Sequence, residues 1–527
     1  MEESRKKRFL IAASNKYVFA ILIYFMQITQ DLVNAMDGLW TNPYYKGGTW
    51  ETKIGRWMIR YIDAAMSGLG INPVAGLGAL LFFVVGLQIV WDIFGYRHGS
   101  LKDYICSAFF ICNPYVCNIL SYRYTALSYA ICFAMSVLAV WLVLDSAKQK
   151  GKKRVADCAL ATLLIIMSMA IYQTCLGIMT VLALIVLYQI FFCRDYSGKE
   201  WGAYLVDGII SGFVGGVIYL LIAKEELLRF NLAMADYQGA SNFSITNIIK
   251  KIPATFKKAY IYFFSYFSGK WNGYIRWSRF TNSKWAVVLL CMYILLAVLL
   301  VIRGWKKKKA FSLLILLFAA MMPLFMNCFL FLVPDSGYMI QQSGPFALFI
   351  MLMAMLYLEE AVEVVSKPTL KKYSQILLTL LLCGLLFGEA TQTIIDQEAM
   401  KEGLQADETL FQSVLGEMIA TGWYDPQCKY ALVGRPDSNP LVFTTDIYDK
   451  ANLYAKTASF TWNGELLQRV WVGVSRYRNG IKFKKLSKAD YADLLLRQDV
   501  VDMPVFPAEG CFKKVDENVI VVKIGTY

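Results

Sequence analysis

The chain has 527 residues, 57% of them hydrophobic and 15% aromatic, with a formal net charge of +14 and a mean hydropathy of +0.45. That is far more apolar than a soluble protein of this length needs to be, and it reads as a polytopic membrane protein. The basic residues sit in short clusters between apolar runs and form no basic domain with interleaved aromatics, which excludes nucleic acid as the source of the charge and points to topology and anionic lipid.

The start, MEESRKKRFL, places Arg5, Lys6, Lys7 and Arg8 ahead of an apolar run at 17–35. No small-residue cleavage site follows, so the run reads as a retained first helix rather than a signal peptide. Further apolar runs lie near 75–94, 104–121, 125–145, 155–172, 175–193, 203–223, 285–302, 311–332, 344–364 and 374–390. Together they predict about eleven transmembrane helices of ordinary length. Tyr172-Gln173-Thr174 is the only polar interruption between 155 and 193, and the run is read as a hairpin across it.

Alternating sides from an inner N-terminus puts the RKKR cluster, Arg97 with Lys102, the run at 148–154, Arg194 with Lys199, the cluster at 303–309, and Lys367, Lys371 and Lys372 on one side. The positive-inside rule is then met loop after loop. The same threading places the loops 36–74 and 224–284, and everything after 390, on the outer side.

The first of those loops contains DGLWTNPYYKGGTWETKIGRWMIRY, residues 37–61. Asp37 follows a membrane-embedded helix end and suits a general base, while a solvated loop acid is the plainer reading. Asp31 is a second acid, paired with a neighbour if it lies within the membrane boundary. Lys53, Arg56 and Arg60, at i, i+3 and i+7, predict one face of a short amphipathic helix, a surface suited to gripping a phosphate. Arg123 is the only cation of the short outer loops and therefore asks for a partner. Tyr172 and Gln173, with Gln341 and Gln342, are candidates for holding a sugar by its hydroxyls. In the loop 224–284, Lys250, Lys251, Lys257 and Lys258 alternate with Phe256, Tyr260, Phe263 and Phe264, which predicts helices lying in the interface.

From 391 the chain turns polar and predicts a small outer α+β domain. Helical stretches are expected over 396–419, 448–456 and 487–497, and strands at 430–434 and 519–525. Ten of the twelve cysteines lie in or beside apolar runs, whereas Cys428 and Cys511 fall in this region and are candidates for a disulfide if it is exported. One histidine, His98, rules out a multi-histidine metal centre, and no spacing reads as a metal site. The expected organisation is thus a membrane domain at 1–390, its cleft formed by the loops 36–74 and 224–284, and a second domain at 391–527.

The first-loop acid followed by GRWMIRY, then NPYVCNILSYRYTALSYAI, then SMAIYQTCLGIMTVLALIVLYQ resembles the Gtr-type glucosyltransferases, integral-membrane enzymes that modify bacterial surface polysaccharides. The closing MPVFPAEGCFKKVDENVIVVKIG is similar to the tail of the Gram-positive-type members. The resemblance implies a fold of the polytopic C superfamily (GT-C) and a bacterial plasma-membrane location. It implies inverting transfer from a polyprenyl-phosphate sugar to a surface glycopolymer, with Asp37 as base and Lys53, Arg56, Arg60 and Arg123 near the donor phosphate. Many relatives carry paired acids where Met36 precedes Asp37 here, so a divalent metal requirement stays open. Read from the residues alone, a flippase for lipid-linked sugars and a non-enzymatic polymer-assembly protein stay open too.

Overall fold

A computed structural model describes residues 2–33, 47–66, 71–192, 198–236, 245–268, 283–307, 309–333, 336, 340–359, 361–365, 367–441, 464–477 and 479–526. The apolar runs fold as helices, because in hydrocarbon a helix satisfies its backbone polar groups internally. In chain order they are α1 (Glu2–Ile23), α2 (Phe25–Thr29), α3 (Thr49–Lys53), α4 (Trp57–Ala65), α5 (Val74–Ile93), α6 (Leu101–Ile111), α7 (Pro114–Ser121) and α8 (Ala126–Ser146). There follow α9 (Gly151–Ile171), α10 (Cys175–Phe192), α11 (Gly198–Arg229), α12 (Ile245–Ser268), α13 (Ser283–Lys307), α14 (Lys309–Met326), α15 (Gly344–Glu359) and α16 (Pro368–Ala420).

Helices lie in every stretch where hydropathy predicts a span, and the protein is a helical membrane protein. Among the described residues six helices are long and apolar enough to cross a membrane, or seven if the bent pair α6–α7 is one span. Shorter apolar helices occupy Cys175–Ile190, Ser312–Met326 and Gly344–Glu359. The break at Tyr172-Gln173-Thr174 falls where the polar interruption predicts it, between α9 and α10.

Two of the membrane stretches are broken, and α16 repairs both. Pro114 opens α7 with Asn113 as its cap, and α6 meets α7 at 50°. Proline cannot donate to the preceding turn, so the carbonyls there need other partners. Thr393 donates to the Cys112 carbonyl at 2.6 Å and Tyr24 to that of Ile111 at 2.6 Å. At the α1–α2 break, Gln397 donates to the Ile23 carbonyl at 2.9 Å. At the other end of the bundle, buried Lys16 pairs with Asp103 and reaches Gln88 at 2.8 Å. His98 lies 3.1 Å from the same Gln88 oxygen and 2.8 Å from Asp92, so the lone histidine sits in a structural network joining α1, α5 and α6.

The helix α16 runs unbroken for 53 residues. The expected span at 374–390 and the acidic stretch after it are one helix, so the composition shift at residue 391 marks a change of surroundings and not a break in the backbone. Beyond it, β1 (Lys429–Val433), β2 (Lys484–Lys485), β3 (Phe512–Asp516) and β4 (Val519–Lys523) form a four-stranded sheet in the order β2-β1-β4-β3. β1 is parallel to β2 and β4, and β3 is antiparallel to β4. Fully buried Trp471, on the helix Gly464–Tyr477, packs edge-on against Phe411 of α16 at 5.4 Å and stacks on Phe483 at 5.1 Å, tying the sheet region to the long helix. A helix lies at Lys488–Leu495, within the expected 487–497, while the stretch 448–456 lies outside the described residues. Cys428 and Cys511, the candidates for a bridge, are both buried free thiols.

Candidate active-site cavity

Residues 47–66 do not form the single amphipathic helix that the spacing of Lys53, Arg56 and Arg60 predicts. Lys53 ends α3, Arg56 caps α4, and Gly55 between them has φ of +77°. That conformation suits glycine, which has no Cβ to clash with the backbone. A Cβ there would also lie 2.6 Å from the Tyr219 hydroxyl and 3.0 Å from Gln173 Nε2. Helical periodicity counted across this turn placed three cations on one face; the turn instead separates them.

The turn is held from below by two side chains. Tyr219, on α11, donates to the Gly55 carbonyl at 3.0 Å. Gln173, in the α9–α10 break, donates to the Ile54 carbonyl at 3.2 Å and to the Tyr219 hydroxyl at 2.9 Å. Arg56 thereby projects into a cavity of about 340 Å³. Its Nη1 donates to the Tyr129 hydroxyl at 2.9 Å, and its guanidinium lies 4.6 Å from the centre of the Tyr172 ring. Tyr172 in turn stacks on Tyr129 at 4.5 Å. Stacking and a hydrogen bond together fix the guanidinium plane, which is the condition for paired donation to a phosphate.

Arg56, Lys224, Gln173 and Gln342 line this cavity, and no carboxylate of the described residues does. Phe329, Leu332 and Val333 supply an apolar wall. Two cations and two amides against such a wall can receive an anionic head group with a hydroxyl-rich substituent. Gln342 is buried and lies 3.3 Å from the Ser336 hydroxyl, whereas Gln341 is partly exposed and does not line the cavity.

The other candidates lie nearby. Arg123 is buried, ion-paired with Asp31, and donates to the Tyr124 hydroxyl at 2.6 Å. Asp31 also accepts from Asn72 at 2.9 Å. The partner that Arg123 asked for is therefore Asp31, and Arg123 lines a neighbouring crevice, not the Arg56 cavity. Arg60 stacks on Phe230 at 3.5 Å, and among the described residues its Nη1 has no hydrogen-bond partner. The Lys53 carbonyl accepts from the Ala235 backbone at 2.9 Å, joining the two loops expected to form the cleft. Asp37 lies outside the described residues. Among those described, no group of three or more His, Cys, Asp or Glu side chains is placed to hold a metal ion.

Sequence reasoning missed Asp63, Tyr219 and Lys224. Asp63 follows Arg56 by seven residues, two helical turns or about 10 Å along α4. It shares the crevice with Arg123, is 8% exposed, and accepts the Gly47 backbone N–H at 2.6 Å. Asp31 and Gly47, on either side of residues 34–46, thus both bind side chains of this crevice. Burial pushes the Asp63 carboxyl up to about 7 against the pull of the Gly47 N–H, and Glu51 pushes the same way.

A carboxyl whose pKa rises on folding from the ordinary 3.8 stabilises the fold fully below that value, and the contribution is lost as pH climbs through about 7. Wild type should therefore lose up to about 4 kcal/mol between pH 4 and 8 that Asp63→Asn does not lose. Thermal unfolding in detergent across that range reads the difference. Parallel curves for the two proteins would contradict it.

A family model described as Glucosyl transferase GtrII matches residues 20–358. The matched segment contains every residue that lines the Arg56 cavity. No curated protein and no solved structure matches the chain. With well over half its length matched, the chain belongs to the glucosyl transferase GtrII family and is a membrane glucosyltransferase.

Proposed function

We propose that this glucosyltransferase takes glucose from a polyprenyl-phosphate carrier at the outer face of a bacterial plasma membrane and passes it to a cell-surface polysaccharide or related glycopolymer. The reading that supports this is a GT-C-like bundle of about eleven spans with the N-terminus inside, and with the Arg56 cavity and the region from 391 to 527 outside. The observation that carries it is the cavity itself: Arg56 and Lys224 with Gln173 and Gln342, next to apolar walls and without a carboxylate of the described residues.

In this mechanism Asp37 takes the proton from the acceptor hydroxyl, whose oxygen bonds to the anomeric carbon of glucose from the face opposite the phosphate. The bond from that carbon to the phosphate oxygen breaks, and the configuration inverts. Polyprenyl phosphate leaves as an anion held by Arg56 and Lys224, with Arg60 supplying a second guanidinium beside that of Arg56. A phosphate needs charge stabilisation more than it needs a proton, so one base beside several cations suffices. Arg123, already neutralised by Asp31, holds the start of the catalytic loop in place.

The test uses the purified protein in lipid vesicles with a polysaccharide acceptor, offering labelled glucose on polyprenyl phosphate or on a nucleotide. Label should reach the acceptor from the lipid-linked donor alone. Transfer from the nucleotide sugar would overturn the donor class. Movement of carrier across the vesicle without product would replace the enzyme reading with that of a flippase.

A further inference from the structure

A second cavity, of about 410 Å³, lies between α8, α9, α10, α11 and α14, and its walls are almost wholly apolar. Both cavities use one side of α11. Leu205, Gly208 and Gly212 line the second, and Leu220, Ala223 and Leu227 line the first. Steps of three, four and eight residues keep all six on a single helical face. The facing wall is shared in the same way, with Phe325 on the second cavity and Phe329 and Val333 on the first.

Between the two stretches of α11 the face stays open. A Cβ built on Gly212 or on Gly216 would meet no atom within 4 Å. From Leu205 to Leu227 the helix rises about 33 Å, close to the thickness of a bilayer's hydrocarbon core. This side of α11 therefore carries, over membrane depth, an apolar cavity, an open glycine stretch and the Arg56 cavity, a line with Arg56 and Lys224 at one end only. Its fitting occupant is an amphiphile with one anionic head and one long hydrocarbon chain.

We infer that the trough along the Gly208–Gly212–Gly216 side of α11 binds the hydrocarbon tail of the lipid-linked sugar donor while its phosphate rests at Arg56 and Lys224. The inference rests on the donor class proposed above and adds to it where the chain lies. It also gives donor length a role in affinity, because every methylene laid in the trough leaves an environment of mobile lipid for a fixed apolar wall.

Gly212→Leu and Gly216→Leu fill the trough at positions where a Cβ meets no atom within 4 Å. KM is measured for glucose donors with about two and about eleven isoprene units, alongside inhibition by the corresponding sugar-free polyprenyl phosphates. The variants should raise KM for the long donor about tenfold or more, with less than about a twofold change for the short one and little change in kcat. Retained turnover of the short donor shows that the fold is intact. Should a variant fold poorly, Gly212→Ala with the same donor pair gives a smaller shift of the same kind. Equal effects on both donors, or unchanged length preference, would overturn the trough and leave the donor class standing. A wild-type protein that used neither lipid-linked donor would overturn both.

Discussion

Asp37→Asn is expected to insert and fold like wild type and to transfer glucose about 10²–10⁴-fold more slowly. Asparagine keeps the size and hydrogen-bonding reach of the side chain and removes its capacity to accept a proton. The expectation comes from the position of Asp37 in the first loop, six residues beyond Asp31, whose carboxylate is tied to Arg123. An acid locked in an ion pair is a poor base, which sets Asp31 aside in favour of Asp37. Donor turnover in membranes, measured at matched protein level, decides it. Near-normal turnover by Asp37→Asn together with loss in Asp63→Asn would move the base to Asp63, whose carboxyl titrates near 7.

Arg56→Ala should lower kcat/KM for the lipid-linked donor about 10²–10³-fold and leave the acceptor KM nearly unchanged. Charge builds on the phosphate as its bond to glucose breaks, so a guanidinium at that place lowers the barrier as well as the donor's dissociation. Arg56 is held by the Tyr129 hydroxyl and the Tyr172 ring, and Arg56→Lys keeps the charge but loses both the planar stack and paired donation. It should recover only part of the loss. An effect of Arg56→Ala confined to the acceptor would place this side chain on the other side of the cleft.

Much of the fold was legible because hydropathy and helix length report directly on the membrane interior, and a three-residue polar break at 172–174 is conspicuous inside a run of apolar residues. β1 was legible from the short apolar run at 430–434 and β4 from the β-branched run at 519–525. At the site, four candidates from three separate stretches lie close together: Arg56, Tyr172, Gln173 and Gln342 line one cavity, and the Tyr172 ring lies against Arg56.

The misses have physical causes. Counting i, i+3, i+7 assumed unbroken helix through Gly55, and a positive φ at one residue rotates everything after it. Asp63 escaped notice because its character comes from burial beside Gly47 and Glu51, which no local pattern reports. Lys224 sat at the end of an apolar run and read as the start of a loop, whereas α11 continues to Arg229 and carries Lys224 into the cavity. The continuity of α16 was hidden for a related reason: composition records what surrounds a helix, and the backbone crosses from one environment to the next without a break.

The account's central claim is that Arg56 meets the phosphate of a lipid-linked glucose donor. A structure of the protein in a lipid nanodisc with polyprenyl-phosphate glucose bound tests it most directly. The phosphate should lie within hydrogen-bonding distance of the Arg56 guanidinium, with glucose beside Gln173 and Gln342 and the chain along α11. A phosphate bound by the lysines of α12 or elsewhere on the protein, with the Arg56 cavity empty, would contradict the claim.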